Sequence, residues 1–419
     1  MTIETAHKPG GSRAWFIWLL AALAFGYAFF HRVAPSVMVA DLMREFAIGG
    51  AVLGVLSALY FYPYFLLQVP LGALLERIGA RYLLAAALTV AALGSAMFAM
   101  ADSIYTAYAG RILIGVGSSV GFLGGLSLAF NWFPPNRLAF LAGLAMFCAM
   151  ISGMIAQAPL AFFVGAFGWR TSMWLLGGVG LLLAALIVTF VRNQPEGSKP
   201  QQSERRPWSD VWRGLMQALS MWEVWKIALV AAAMSGPMLT FGALWGTPYL
   251  QVAYSLSQPQ AAFFISLILL GWAIGAPFWG WFSDFIGKRR ILLVAGCLVM
   301  NAAIALLVAV AGLPLWVTAI SLALMGFTGA AMSITFSLVR DSVPDEIGGA
   351  ATGIVNSLTV GSGALLQPIV GLALDRLWDG RISEGARVYQ AADFRTAFLF
   401  VLASTLIGLV LAILLKKPE

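Results

Sequence analysis

The feature that most restricts this chain is a series of twelve apolar runs, each close to or above the roughly 20 residues that a helix needs to cross a hydrocarbon core of about 30 Å. They extend over Trp15–Ala40, Gly50–Leu75, Tyr82–Met100, Ile104–Phe130, Leu138–Phe167, Thr171–Val191, Val224–Leu250, Pro259–Phe282, Ile291–Ala311, Leu315–Leu338, Gly348–Leu374 and Phe394–Leu415. In lipid every N–H and C=O must be satisfied within the protein, and a single run of this length can do so only as an α-helix. Composition agrees, with 61% hydrophobic and 10% charged residues where soluble domains carry about 45–50% and 25%. An all-α polytopic membrane protein is therefore expected. The first run is too long for a signal peptide, lacks a small-x-small cleavage site and precedes eleven more, so it is expected to remain in the mature protein.

Two cysteines, Cys148 and Cys297, both inside apolar runs, exclude a disulfide framework and a cysteine zinc site. With only His7 and His31, a histidine cluster is excluded as well, and neither metal nor cofactor is expected. The net charge of +7 has its explanation in membrane topology rather than nucleic acid. If the N-terminus is inside, 17 Lys and Arg residues fall on the cytoplasmic side and six on the outer side, which places both termini in the cytoplasm, in a plasma (bacterial inner) membrane. The longest polar stretch falls mid-chain and reads as a cytoplasmic linker over 192–221, between six-helix halves at 1–191 and 222–419. Within it Trp208, Val211, Trp212 and Leu215 recur at helical spacing, which suggests an amphipathic helix lying at the membrane surface.

A charge pattern exposes an internal repeat. Gly72, Glu76, Gly79 and Arg81 follow the second run, and Gly280, Asp284, Gly287 and Arg289 follow the eighth, each matched position 208 residues from its counterpart. In physical terms a glycine at a helix end permits close packing, a carboxylate with arginines (Arg77 and Arg81, Arg289 and Arg290) makes a charge latch, and the second glycine turns the chain. This pattern resembles the loop motif of the major facilitator superfamily, G-x-x-x-D-R-x-G-R-R, with Glu76 for the usual aspartate and Phe285 where the second copy would have arginine. Arg111-x-x-x-Gly115-x-Gly117 in the fourth run and Gly168-Trp169-Arg170 before the sixth are similar to further marks of that superfamily. The resemblance implies two pseudo-symmetric six-helix halves with substrate held between them near the midplane.

Charges inside a membrane span are costly and are functional candidates by default. Arg32, beside His31 in the first run, and Arg111 in the fourth both lie roughly 10 Å below the outer surface at 1.5 Å per residue, and no carboxylate sits deep in any run. Two guanidiniums facing one cavity would repel, and an anion would relieve this while accepting bidentate hydrogen bonds. Tyr27, Tyr60, Tyr64, Gln157, Trp245, Tyr249, Trp272, Asn356 and Gln367 are further candidates for the cavity wall, and Gln157 and Gln367, each near a proline, suggest paired amides on the fifth and eleventh runs. An arginine late in the first span with one in the fourth is similar to the anion:cation symporter branch of the superfamily. Organophosphate antiporters pair the first-span arginine with one in the seventh span, where this chain offers only Lys226. The symporter branch uses an acidic residue shortly after the fourth-span arginine for proton coupling, where this chain has Ser118 and Ser119. The expected function is a monomeric secondary transporter that moves a small anionic solute by alternating access, driven by a coupling proton or a counter-anion. Its partners are that solute and the lipid bilayer, with no nucleic acid and no enzymatic chemistry. A proton-coupled exporter of amphipathic compounds and a non-transporting sensor on the same fold are the alternatives.

Overall fold

Helix accounts for nearly all of the backbone in the computed structural model, which describes residues 11–195 and 208–415, as a chain in lipid requires. Among the described residues ten helical stretches are long and apolar enough to cross a bilayer, and the bent pair Val39–Phe46 and Gly50–Leu66 makes eleven. One stretch, Pro135–Phe190, is 56 residues long, about 84 Å at 1.5 Å per residue, and so cannot be a single crossing. Gly168 breaks it, with φ 82° and ψ 160°, a conformation that costs a residue with a side chain far more. Twelve crossings result, as the sequence led us to expect.

In chain order the spans are Ser12–Val37, Gly50–Leu66 continued by Gln68–Ile78, Ala80–Ala99, Ile104–Trp132, 138–167, 169–190, Trp222–Tyr254, Gln258–Ile286, Arg289–Ala309, Leu315–Asp341, Glu346–Leu377 and Ala391–Ile413. Prolines set the irregularities. Span 1 leaves α-helix at Val33 and continues as a 3-10 turn, Ala34–Val37, around Pro35. Span 2 breaks between Ala58 and Phe61, just ahead of Pro63, and span 7 passes into a π-helical segment, Met238–Trp245, after Pro237. The helix expected in the central polar stretch forms as Trp208–Ser220 and packs beside the start of span 11. Trp212 on it is exposed, and the side chains of Trp208 and Val211 lie outside the described ones.

Spans 1–6 pack as one half and 7–12 as the other, meeting where spans 1 and 7, 2 and 11, and 5 and 8 cross. Small residues permit the second crossing: a Cβ on Gly371 would stand 2.1 Å from the Gly50 carbonyl oxygen, and one on Gly54 2.6 Å from that of Gln367. Both described ends of the chain lie on one face, the terminal face, where Trp132 Nε1 donates to the Arg192 carbonyl (2.9 Å) and Lys226 Nζ to that of Leu414 (3.2 Å). The other is called the opposite face below.

Candidate substrate cavity

A cavity of about 1010 Å³ opens on the terminal face and runs up between the halves. Its mouth is bordered by Gly72, Arg213, Arg340 and Glu346, and its far end by Phe29, Arg32, Tyr64, Met238, Trp272 and Thr359. Arg32 stands at that end because span 1 leaves the α-helical path one residue later. Its guanidinium carbon is 4.7 Å from the Phe29 ring, 5.8 Å from Tyr60 and 5.0 Å from Tyr64. Tyr60 and Tyr64, one turn apart, stack with ring centres 6.1 Å apart. Arg32 Nε has no hydrogen-bond partner, and no carboxylate among the described residues comes within ion-pair distance of this side chain. A guanidinium held among aromatic side chains at the end of the cavity, without a carboxylate, is placed to donate to an anion entering from the mouth. Neutral polar groups face it across the cavity, with Asn356 Nδ2 donating to Gln68 Oε1 at 3.3 Å.

Of the other candidates, only Tyr64, Trp272 and Asn356 line this cavity. The expectation that both arginines face it is corrected: Arg111 is 2% exposed, and its two Nη atoms donate to the carbonyls of His31 (3.0 Å) and Ser57 (3.2 Å). His31 is fully buried, its Nε2 3.4 Å from Ser95 Oγ and its ring centre 4.7 Å from that of Tyr27. Tyr27 donates to the Leu176 carbonyl (3.1 Å), and Tyr60, behind Arg32, to that of Ala28 (2.8 Å). Tyr249 packs among Phe241, Phe394 and Phe398. The paired amides exist but serve the π-helical segment of span 7: Gln157 Nε2 donates to the Gly242 carbonyl (3.1 Å) and Gln367 Nε2 to that of Leu239 (2.6 Å). Trp245 Nε1 returns a bond to the Gln367 carbonyl at 3.0 Å. Eight candidate side chains left the wall for one reason. The sequence gives a residue's depth in a span, whereas the side it faces depends on where prolines and glycines break the helix.

Both copies of the repeated loop turn at their second glycine, Gly79 at φ 82° and Gly287 at φ 68°. The first glycines do not act as expected, since a Cβ on Gly72 or Gly280 would stand in open space. Asp284 is exposed and forms no ion pair among the described residues, Arg289 pairs with Asp341, and Arg81 donates to the Val188 carbonyl within its own half. Arg77 is engaged in its surroundings, and the side chain of Glu76 lies outside the described ones. Asp284, Arg289 and Arg81 thus form no latch between the two copies in this conformation among the described residues.

The closed contact is on the opposite face, built by residues that sequence reasoning did not single out. Asp375, at the end of span 11, accepts the N–H groups of Gly50 (2.8 Å) and Ala51 (2.9 Å), the first two residues of the helix that opens span 2. Tyr389 donates to Asp375 (2.6 Å) and accepts from Gly50, while Arg387 pairs with Asp375 at 3.1 Å. Burial, and after it the hydrogen bond to Asp375, push the Tyr389 hydroxyl well above the ordinary tyrosine pKa, so it stays protonated as a donor. Asp375 one turn after Gly371 was the signal available in the sequence: a carboxylate beside a point of close helix approach.

Two six-helix halves around a cavity closed at one face and open at the other define a membrane solute carrier. The family model of the Major Facilitator Superfamily matches residues 15–368 and again 239–419, and the chain belongs to that superfamily, as a transporter and not an enzyme. Its fold is similar to that of a bacterial homologue of the human lysosomal transporter Spinster, with a TM-score of 0.78 at 15% identity over 97% of each chain. Among named proteins it is 26% identical to a putative tartrate transporter of Agrobacterium vitis, over 68% of this chain and 67% of that one. It is also 21% identical to a probable galactarate/D-glucarate transporter of Bacillus subtilis (strain 168), over 98% and 96%.

Proposed function

We propose that the protein carries a small hydroxylated organic acid across the plasma (bacterial inner) membrane by alternating access, with Arg32 as the anchor of its carboxylate. The observation that carries this reading is the Arg32 guanidinium at the far end of the cavity with no carboxylate partner among the described residues. The transporters of tartrate and of galactarate or D-glucarate among its relatives agree with the substrate class. Tyr64 and Asn356 line the same space and supply neutral groups suited to the hydroxyls. Tyr27, Tyr60, Gln157, Trp245, Tyr249 and Gln367 support that wall from behind. The 17 to 6 bias of Lys and Arg puts the termini in the cytoplasm, so the conformation described is open inward. Glu346 at the mouth is the one carboxylate on the cavity wall among the described residues, and Ser118 and Ser119 offer no proton acceptor. Exchange of one organic anion for another is therefore the coupling we favour over proton symport, in a protein acting as a monomer of halves 1–191 and 222–419.

The test is counterflow in proteoliposomes with labelled tartrate and D-glucarate. The parent is expected to exchange at least one of them, at a rate indifferent to an imposed pH gradient or membrane potential. Arg32→Lys keeps the charge and loses the fork, and is expected to weaken apparent affinity about tenfold or more with membrane insertion intact. Near-parental affinity in Arg32→Ala would remove Arg32 from the site.

A further inference from the structure

We infer that Arg111 is a positioning residue for Arg32: it clamps the His31–Arg32 peptide from outside the cavity and never touches the carried anion. This rests on the reading of Arg32 as the anchor.

The argument begins at Pro35. In a continuous α-helix the carbonyl of His31 would accept the N–H of residue 35, and proline has none. A buried carbonyl without a donor is costly, and this one belongs to the peptide bond that leads into Arg32. Arg111 Nη1 supplies the missing donor at 3.0 Å. The other arm of the same planar group, Nη2, donates at 3.2 Å to the carbonyl of Ser57, at the end of the helix Gly50–Ala58 where span 2 breaks. One fork from span 4 thus fixes the break in span 1 that aims Arg32 and the break in span 2 that aims Tyr60 and Tyr64.

Tyr60 links the two cations. Its ring centre is 5.2 Å from the guanidinium carbon of Arg111 and 5.8 Å from that of Arg32, and its hydroxyl donates to the Ala28 carbonyl, one turn before Arg32. Arg111 has no carboxylate partner among the described residues and is shut off from the cavity, so its charge is met by two carbonyl dipoles and a ring face. A lysine in its place keeps a point charge but cannot span two carbonyls in separate helices. A ligand role and a positioning role therefore differ in how they depend on Pro35. Pro35→Ala returns an N–H in register for the His31 carbonyl and should make the Nη1 arm redundant, whereas a direct contact with the anion would gain nothing from it.

The experiment uses the full chain in detergent or nanodiscs with two readouts. Amide hydrogen exchange of the peptide covering residues 28–38 needs no ligand, and D-glucarate serves as the binding probe. In Arg111→Lys, exchange across that peptide is expected to quicken about tenfold while the last span is unchanged, and D-glucarate affinity to fall by a similar factor. In Pro35→Ala/Arg111→Lys both effects should shrink to about twofold of Pro35→Ala alone. Lost affinity with unchanged exchange would overturn the inference in favour of a direct anion contact, and so would an Arg111 effect of equal size in both backgrounds. If Arg111→Lys alone does not fold, recovery in the Pro35→Ala background supports the clamp, and failure there too overturns it by making Arg111 a general stability residue. A parent that binds no D-glucarate or tartrate would count against the proposed substrate class, while the exchange readout still decides the clamp.

Discussion

On the opposite face the halves are joined through Asp375 to the N–H groups of Gly50 and Ala51, Gln157 to the Gly242 carbonyl, and Gln258 to the Val37 carbonyl at 2.6 Å. Toward the terminal face the last such bonds among the described residues are Asn356 to Gln68 (3.3 Å) and Ser357 to the Phe65 carbonyl (3.4 Å), and beyond them Arg213, Arg340 and Glu346 border the cavity mouth. One face is closed by short bonds across the halves. On the other, among the described residues, Arg289 pairs with Asp341 within its own half and Asp284 is exposed. Only contacts that differ between two conformations shift their populations. Residues of the opposite face should therefore stabilise the conformation described, and those of the repeated loops only the alternative one.

Gly371→Val attacks this contrast most directly. Its Cβ would lie 2.1 Å from the Gly50 carbonyl oxygen, and backbone cannot yield as a side-chain tip can. A cost of about 3 kcal/mol would move the balance roughly a hundredfold away from opposite-face closure. The measure is thiol labelling in a background free of Cys148 and Cys297, with one reporter cysteine at buried Val37 and another at Ala350 on the mouth. Labelling at Val37 should rise and that at Ala350 fall, and an unchanged pattern in a folded variant would show that the 2–11 crossing does not form the closure.

Asp375→Asn should act in the same direction but less. It keeps an acceptor and loses the charge shared with Arg387 and the helix start, worth about 2 kcal/mol or roughly thirtyfold. Arg387→Gln should reproduce a smaller part of that shift if the pair acts as one unit.

Asp284→Asn sharpens the contrast from the other side and should do least. In this conformation it removes nothing, so any effect must come from the alternative one, and an exposed pair there is worth about 0.5 kcal/mol, roughly twofold toward the open mouth. A shift of tenfold or more would mean that the terminal-face latch is far stronger than surface ion pairs usually are.

What the amino-acid sequence disclosed follows the physics of the solvent. The spans were legible because crossing lipid demands a minimum apolar length, and the repeated loop because its charges stand out against such runs. Arg32 could be recognised for the same reason. Arg111 could be placed at the right depth but not on the right side, since Pro35 leaves the His31 carbonyl without its helical donor and the break between Ala58 and Phe61 opens the Ser57 carbonyl to a second one, and those two carbonyls captured it. Gln157 and Gln367 were correctly read as a pair, yet their target is a π-helical segment, and a helical wheel drawn at 3.6 residues per turn loses phase there.

Asp375 accepts through its side chain, but Gln157, Gln258, Gln367 and Trp245 donate to Gly242, Val37, Leu239 and Gln367 through the main-chain carbonyl in every case. A carbonyl is present whatever side chain the codon specifies. Half of each of these contacts is therefore silent to genetics. A saturation scan would report Gln157, Gln258, Gln367 and Trp245 as sensitive positions and leave the acceptors Gly242, Val37 and Leu239 unmarked, and co-variation between sequences would find no partner side chain there. These four bonds, unlike those of Asp375 with Arg387 and Tyr389, would look as though they were held from one side only.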